Sequence, residues 1–253
     1  MLRTRVVPTL LLRDEALVKT VRFSRYQYVG DPCNAVRIFN ELEVDELFVI
    51  DILASSIQRE PNYALLQDIA SECFMPLAYG GGVSSLSAAK RILNIGFEKI
   101  LINTAALQQP ALIKELADYF GSQAVIVSID VKKDFLGRSR VWSHAGKRKS
   151  RWNPVDWARE AERLGAGEIL LTSIEREGTW SGFDISLVEE VSNAVGIPVV
   201  AHGGAGCIDD IGAVVKQGKA SAVALGSMVT FQKKGMGVLI NYPDIKKLEE
   251  VLK

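Results

Sequence analysis

Cysteine is scarce and unpatterned in this chain. Cys33, Cys73 and Cys207 are its three, none stands in a CxxC spacing, and they cannot all pair with one another. A disulfide framework is therefore excluded, and buried thiols in a reducing cytosol are the expectation. Long apolar runs are missing too: no segment approaches the ~18 residues of a membrane-spanning helix. Arg3 and Arg5 interrupt the start, where the apolar run is only strand-length, so no signal peptide is read there. Charge of one sign is absent as an excess, since 30 Lys and Arg balance 30 Asp and Glu. That balance speaks against nucleic acid or a membrane as partner. No low-complexity stretch, interdomain linker, cofactor motif or metal site is recognised, and a cytoplasmic protein is expected.

What the chain does have is core. Apolar residues make up 48% of 253, and that length suits a single (β/α)8 barrel. Met75 to Ala106 reads as strand, glycine turn, helix, strand. Pro76 to Tyr79 stops at Gly80-Gly81-Gly82, Ser84 and Ser85 offer N-caps, Leu86, Ala89, Ile92 and Leu93 recur at helical spacing, and Lys99 to Ile102 is a second buried strand. The unit returns 122 residues later as Ile197 to Met228. In that register Pro76 meets Pro198, Gly81 and Gly82 meet Gly203 and Gly204, Gly96 meets Gly218, and Glu46 meets Glu168. The pattern predicts an α/β fold, a TIM barrel of two repeated (β/α)4 halves, about residues 1–122 and 123–253. Glycines directly after a strand let backbone N–H groups reach an anion at a helix start, although the same residues also suit a plain tight turn. Two copies in matching places point to a substrate with a phosphate at each end.

The remaining strands read as Arg5 to Leu12, Glu46 to Ile52, Ala124 to Val131 and Glu168 to Ser173. Helices read as Cys33 to Leu42, Asn62 to Cys73, Pro110 to Phe120, Asn153 to Leu164, Ile185 to Val195 and Tyr242 to Leu252. Lys132 to Trp152 reads as a long hairpin-like loop, rich in Lys and Arg, that would form a basic lip at the mouth. In a parallel barrel the functional residues sit at the C-terminal strand ends. Asp130 stands out there, because a carboxylate ending an apolar strand is costly unless paired or hydrogen-bonded. The repeat sets Leu11 against it.

These residues resemble the cyclase subunit of imidazole glycerol phosphate synthase (HisF) over nearly the whole chain. The likeness rests on RVVPTLLLRDEALVK, GDPCNAVRIFNELEVDELFVIDILAS, GGGVSSLSAAKRIL, EKILINTAAL, VSIDVKK, GAGEILLTSIEREGTWSGFD and HGGAGCIDD. The resemblance implies a barrel that takes ammonia from a glutaminase subunit docked at its N-terminal face and uses it to cleave and cyclise a nucleotide. It implies one phosphate site at Gly82, Asn103 and Thr104, and a second at Gly178, Gly204, Gly226 and Ser227 with Glu177 beside them. It also implies a flexible loop after the first strand carrying Lys19. Arg5, Glu46, Lys99 and Glu168, at the opposite end, become a charged ammonia gate; their structural reading is a ring of salt bridges closing the barrel floor.

The chain departs from the family where the chemistry lies. The family uses two aspartates as acid and base; Asp130 is one, and Leu11 occupies the place of the other. Glu175 and Glu177 stand where aspartates are usual, and His202 where a serine is usual, which makes His202 a second candidate for proton transfer. The leading expectation is a paralogue that works with a glutaminase, and with a sugar amidotransferase, in forming acetamidino groups on bacterial surface sugars. The alternatives are an authentic cyclase subunit of histidine biosynthesis with another base, and a non-catalytic activator of the glutaminase.

Overall fold

The computed structural model describes residues 4–253. Arg3, part of the segment read above against a signal peptide, lies outside them. Eight parallel strands form one closed barrel: β1 (Arg5–Arg13), β2 (Leu47–Asp51), β3 (Leu77–Gly80), β4 (Lys99–Ile102), β5 (Val125–Lys133), β6 (Glu168–Ser173), β7 (Val199–His202) and β8 (Ala222–Leu225). Each pairs with the next, and β8 closes on β1 with Arg5 opposite Ala222. This is the (β/α)8 architecture expected from the repeat. Both faces of such strands are covered, which is why they read as near-continuous apolar runs. Val7, Phe48, Ala78, Leu101, Ile126, Leu170 and Val200 fill the interior, while the outward residues pack under the helices.

The helices begin where the sequence supplies caps. Asp31 accepts from the Asn34 N–H at 2.8 Å and Pro32 follows as the first helical residue; Asn153 and Pro154 repeat the device, with Asn153 accepting from Asp156 N–H at 2.8 Å. Ser85 caps the helix Leu86–Ile95, and Gly96 ends it at φ 127°. The repeat-related helix Ile208–Lys216 is entered differently, with Asp210 accepting from the Gly206 and Cys207 N–H groups.

Each half also carries a feature that the repeat did not reveal. Strands β1 and β5 are the longest in the barrel, nine residues each, and each folds back into an antiparallel hairpin above the mouth. The first hairpin, Ala16–Val21 with Ser24–Gly30, corrects the expected flexible loop: Lys19 lies in a strand and is 3% exposed. The second (Ser139–Ser143 with Arg148–Lys149) is the expected hairpin at 132–152, but many of its cations are engaged. Lys132 lies over Trp142, Lys149 over Phe135 and Arg151 over Trp152, and Arg138 and Arg140 approach Asp134. The thiols are less buried than expected: Cys207 is exposed, and Cys33 and Cys73 are half-buried. No described helix is long and apolar enough to cross a membrane.

Candidate functional site

The strand ends and the first hairpin enclose a chamber of about 110 Å³. Leu11 of β1, Asp130 of β5, Thr172 of β6 and His202 of β7 share its wall, and Phe23 and Tyr26 of the hairpin roof it. Asp130 is 9% exposed. Burial pushes its carboxyl up to about 7, against hydrogen bonds from Asn103, Ser128 and Thr172, and the Glu177 charge adds to the rise. The Asn103 amide donates to Asp130 Oδ2 at 2.7 Å and to the Trp142 carbonyl at 3.2 Å. Asp130 is thus a carboxyl that exchanges its proton near neutrality, a property suited to general acid–base work.

Three adjacent strands set Asp130, Thr172 and His202 in one register row. The Thr172 hydroxyl is 3.1 Å from His202 Nδ1. With Thr172 donating to Asp130, its oxygen accepts from Nδ1–H, and the lone pair of His202 is left on Nε2. Burial, with Lys19 nearby, pulls the imidazole down to about 3, so it is neutral at physiological pH. Sequence reasoning missed Thr172. Its place just before Ser173, at the end of an apolar strand, was the available signal.

Asp51, also a strand-end acid, is bound up in structure. Its Oδ1 accepts from the Leu53 and Ala54 N–H groups at 2.8 and 2.9 Å, and its Oδ2 from Arg59 at 3.0 Å. Glu177, which lines the cavity of the second glycine set, also holds the hairpin. Its carboxylate accepts from the Thr20 hydroxyl at 2.9 Å and the Phe23 N–H at 3.1 Å, and its carbonyl takes the Arg22 N–H at 2.9 Å. It is the seat of the hairpin, and burial raises its pKa despite these bonds. Lys19 donates to the Thr9 carbonyl at 2.7 Å, and burial pulls it down to about 8, with Glu177 opposing.

The second glycine set converges. Gly178, Gly204, Gly226 and Ser227 line a water-sized cavity of about 10 Å³ together with Glu177 and His202. Lys19 Nζ reaches it: a Cβ on Gly226 would lie 2.8 Å from that nitrogen. Gly204 has φ +112°, and a Cβ there would meet the Gly182 carbonyl oxygen at 2.1 Å, so only glycine fits. Its repeat partner Gly82 has φ +72° and is as tightly held, a Cβ meeting the Arg59 carbonyl oxygen at 2.6 Å. The first set is less open. Asn103 and Thr104 wall the chamber but Gly82 does not. The Gly82 N–H donates to the Ser55 hydroxyl at 3.2 Å, and the Thr104 hydroxyl accepts from the His144 N–H at 3.0 Å. Ser55, unforeseen in the sequence, sits on the short helix Ala54–Ile57 that follows β2.

At the other end of the barrel, Arg5, Glu46, Lys99 and Glu168 form a closed ring. Arg5 bonds both glutamates, and Lys99 donates to Glu46 at 2.6 Å and to Glu168 at 3.3 Å. The glutamates are 3% and 5% exposed. Burial would lower the Arg5 pKa, but Glu168 and Glu46 outweigh it and raise it.

A closed parallel barrel with a titrating acid at its mouth, paired glycine turns at its strand ends and a charged ring at its floor defines a (β/α)8-barrel class of protein with a site at the C-terminal strand ends. Residues 5–234 match the family described as Histidine biosynthesis protein. A Pseudomonas aeruginosa protein with the provisional name imidazole glycerol phosphate synthase subunit hisF2 is 51% identical over 249 residues, 98% of this chain and 99% of that one. A Vibrio vulnificus protein with the provisional name subunit hisF3 is 44% identical over 253 residues, covering 100% and 97%. Imidazole glycerol phosphate synthase subunit HisF of Geobacillus thermodenitrificans is 40% identical over 243 residues, 96% of each. The chain belongs to the histidine biosynthesis protein family, as a HisF-like barrel.

Proposed function

We propose that this barrel receives ammonia from a glutaminase docked on its N-terminal face, binds a phosphorylated substrate at its mouth, and serves amidine formation on bacterial surface sugars. The observation that carries this reading is the contrast between its two ends. The charged ring is complete, whereas the chamber opposes Asp130 with the isobutyl group of Leu11. An aliphatic chain moves no proton, and losing an acid–base group costs about 10²–10⁴-fold in rate. Ammonia delivery is retained in this reading while the cyclase step is not. The test is complementation of a bacterium lacking its histidine-pathway cyclase subunit. No growth without histidine is expected, while the chain still raises glutamine hydrolysis by a glutaminase subunit that binds it. In that pair, Lys99→Ala should lower glutamine-driven turnover more than turnover with added ammonia. Rescue of growth would overturn the reading.

One observation favours the second reading, a working cyclase. The Asp130–Thr172–His202 row provides a neutral imidazole facing the same chamber, and it could take the proton-transfer role vacant at Leu11. Growth without histidine that is abolished by His202→Gln is the outcome this reading requires.

A further inference from the structure

The first hairpin borders a second and larger space. With the turn at Gly178 and Trp180 and the segment from Ser227 to Met236, it lines a cleft of about 790 Å³. Thr20 alone is common to this cleft and the chamber, whereas Gly178 and Ser227 are shared with the small glycine-lined cavity. The cleft therefore adjoins the second glycine set from outside the chamber.

Among the described residues its walls carry Lys19, Arg22, Arg25 and Lys234, and no aspartate or glutamate. Among the described residues Arg22, Arg25 and Lys234 form no ion pair with a carboxylate. Cations left unneutralised around a cleft concentrate anions. The backbone is also held in an unusual way there: Arg22, Arg25 and Trp180 have φ of 56°, 53° and 61°, a conformation that side chains persist in only where their surroundings impose it. Arg22 is fixed by its N–H on the Glu177 carbonyl at 2.9 Å and its Nε on the Glu175 carbonyl at 3.2 Å. Trp180 and Phe231 add aromatic surface to the same walls.

We propose that this cleft binds a nucleoside diphosphate group, with its two phosphates against Arg22, Arg25 and Lys234 and its base against Trp180. An inorganic anion would use a small fraction of the space, which lies within the ~300–1,000 Å³ of small-molecule sites. An indole face accepts any planar base, and guanidinium and ammonium groups suit a pyrophosphate. The assignment does not depend on ammonia delivery, because binding is read without a glutaminase.

The test is calorimetric titration of the full chain with ADP, UDP and inorganic pyrophosphate. At least one nucleotide should bind about tenfold or more tightly than pyrophosphate. Trp180→Ala should erase that difference and leave pyrophosphate binding unchanged, while Trp180→Phe, which keeps a ring, retains most of it. Arg25→Ala with Lys234→Ala, both at exposed positions, should weaken all three ligands about tenfold or more. Nucleotide binding no tighter than pyrophosphate, a preference that survives Trp180→Ala, or no binding of any of the three, overturns the proposal.

Discussion

Leu11 and Asp130 face one chamber from β1 and β5, which stand opposite each other in the eight-strand order, one an aliphatic chain and the other a carboxyl that titrates at about 7. With ammonia and the nucleotide substrate of the family, the chain should form imidazole glycerol phosphate well below ~1 s⁻¹. Leu11→Asp should raise that rate, by a part of the ~10²–10⁴-fold an acid–base group supplies. It should also destabilise the fold by about 1–3 kcal/mol, since a carboxyl enters a site that is 6% exposed. Single-turnover product formation and urea midpoints measure the two effects. A wild-type rate typical of enzymes sinks the argument from Leu11.

Asp130 and His202 pull stability in opposite directions with pH. Asp130 titrates at about 7 in the fold, so between about pH 4 and 7 the folded state holds a proton the unfolded chain lacks, and stability falls as pH rises. His202 titrates at about 3, so below about pH 6.5 the unfolded chain takes a proton the fold refuses, and stability falls as pH drops. The two slopes oppose each other from about pH 4 to 6.5. Asp130→Asn should therefore lose stability on acidification faster than wild type, by about 1 kcal/mol per pH unit, and His202→Gln should show the reverse. Urea midpoints across this window decide it, and curves parallel to wild type would contradict both assignments.

The floor ring should matter more to stability than its ion-pair count suggests. Glu46 and Glu168 are almost fully buried, so Arg5→Ala leaves two carboxylates sharing Lys99. Breaking a buried pair from one side costs about 3 kcal/mol. Lys114→Ala, which removes an exposed partner of Asp118, should hardly move the melting temperature. Equal effects from the two substitutions would show that water screens the ring.

Crystals grown in phosphate should hold an anion at the Gly204 and Ser227 backbone, near Lys19. A second should lie at Gly82 and Thr104, with the Ser55 hydroxyl turned away from the Gly82 N–H it now accepts from at 3.2 Å. Gly204→Ala should remove the former only, since its Cβ has no room. Both sites empty at high phosphate would return the glycine pairs to plain turns.

The strands Lys99–Ile102 and Glu168–Ser173 were legible to the residue, and the cap Ser85 was one of two adjacent serines read as candidates, whereas Asn153, read as the first helical residue, is the cap before it. These depend on neighbours within a few positions: apolar spacing, a capping oxygen, a glycine that ends a helix. The repeat was legible for the same reason, because a turn that only glycine can make leaves its mark in the chain. What lies between elements was not. That Thr172 links Asp130 to His202 follows from the register of β5, β6 and β7, in which a one-residue slip would send each side chain to the other face. Lys19 is inside because the hairpin seats on Glu177, a carboxylate 157 positions away from the Thr20 hydroxyl it accepts. Residue types and their spacing along the chain determined which elements form and which ends face the mouth. Barrel closure decided which polar groups share a proton, because only it sets the distances between strands far apart in sequence.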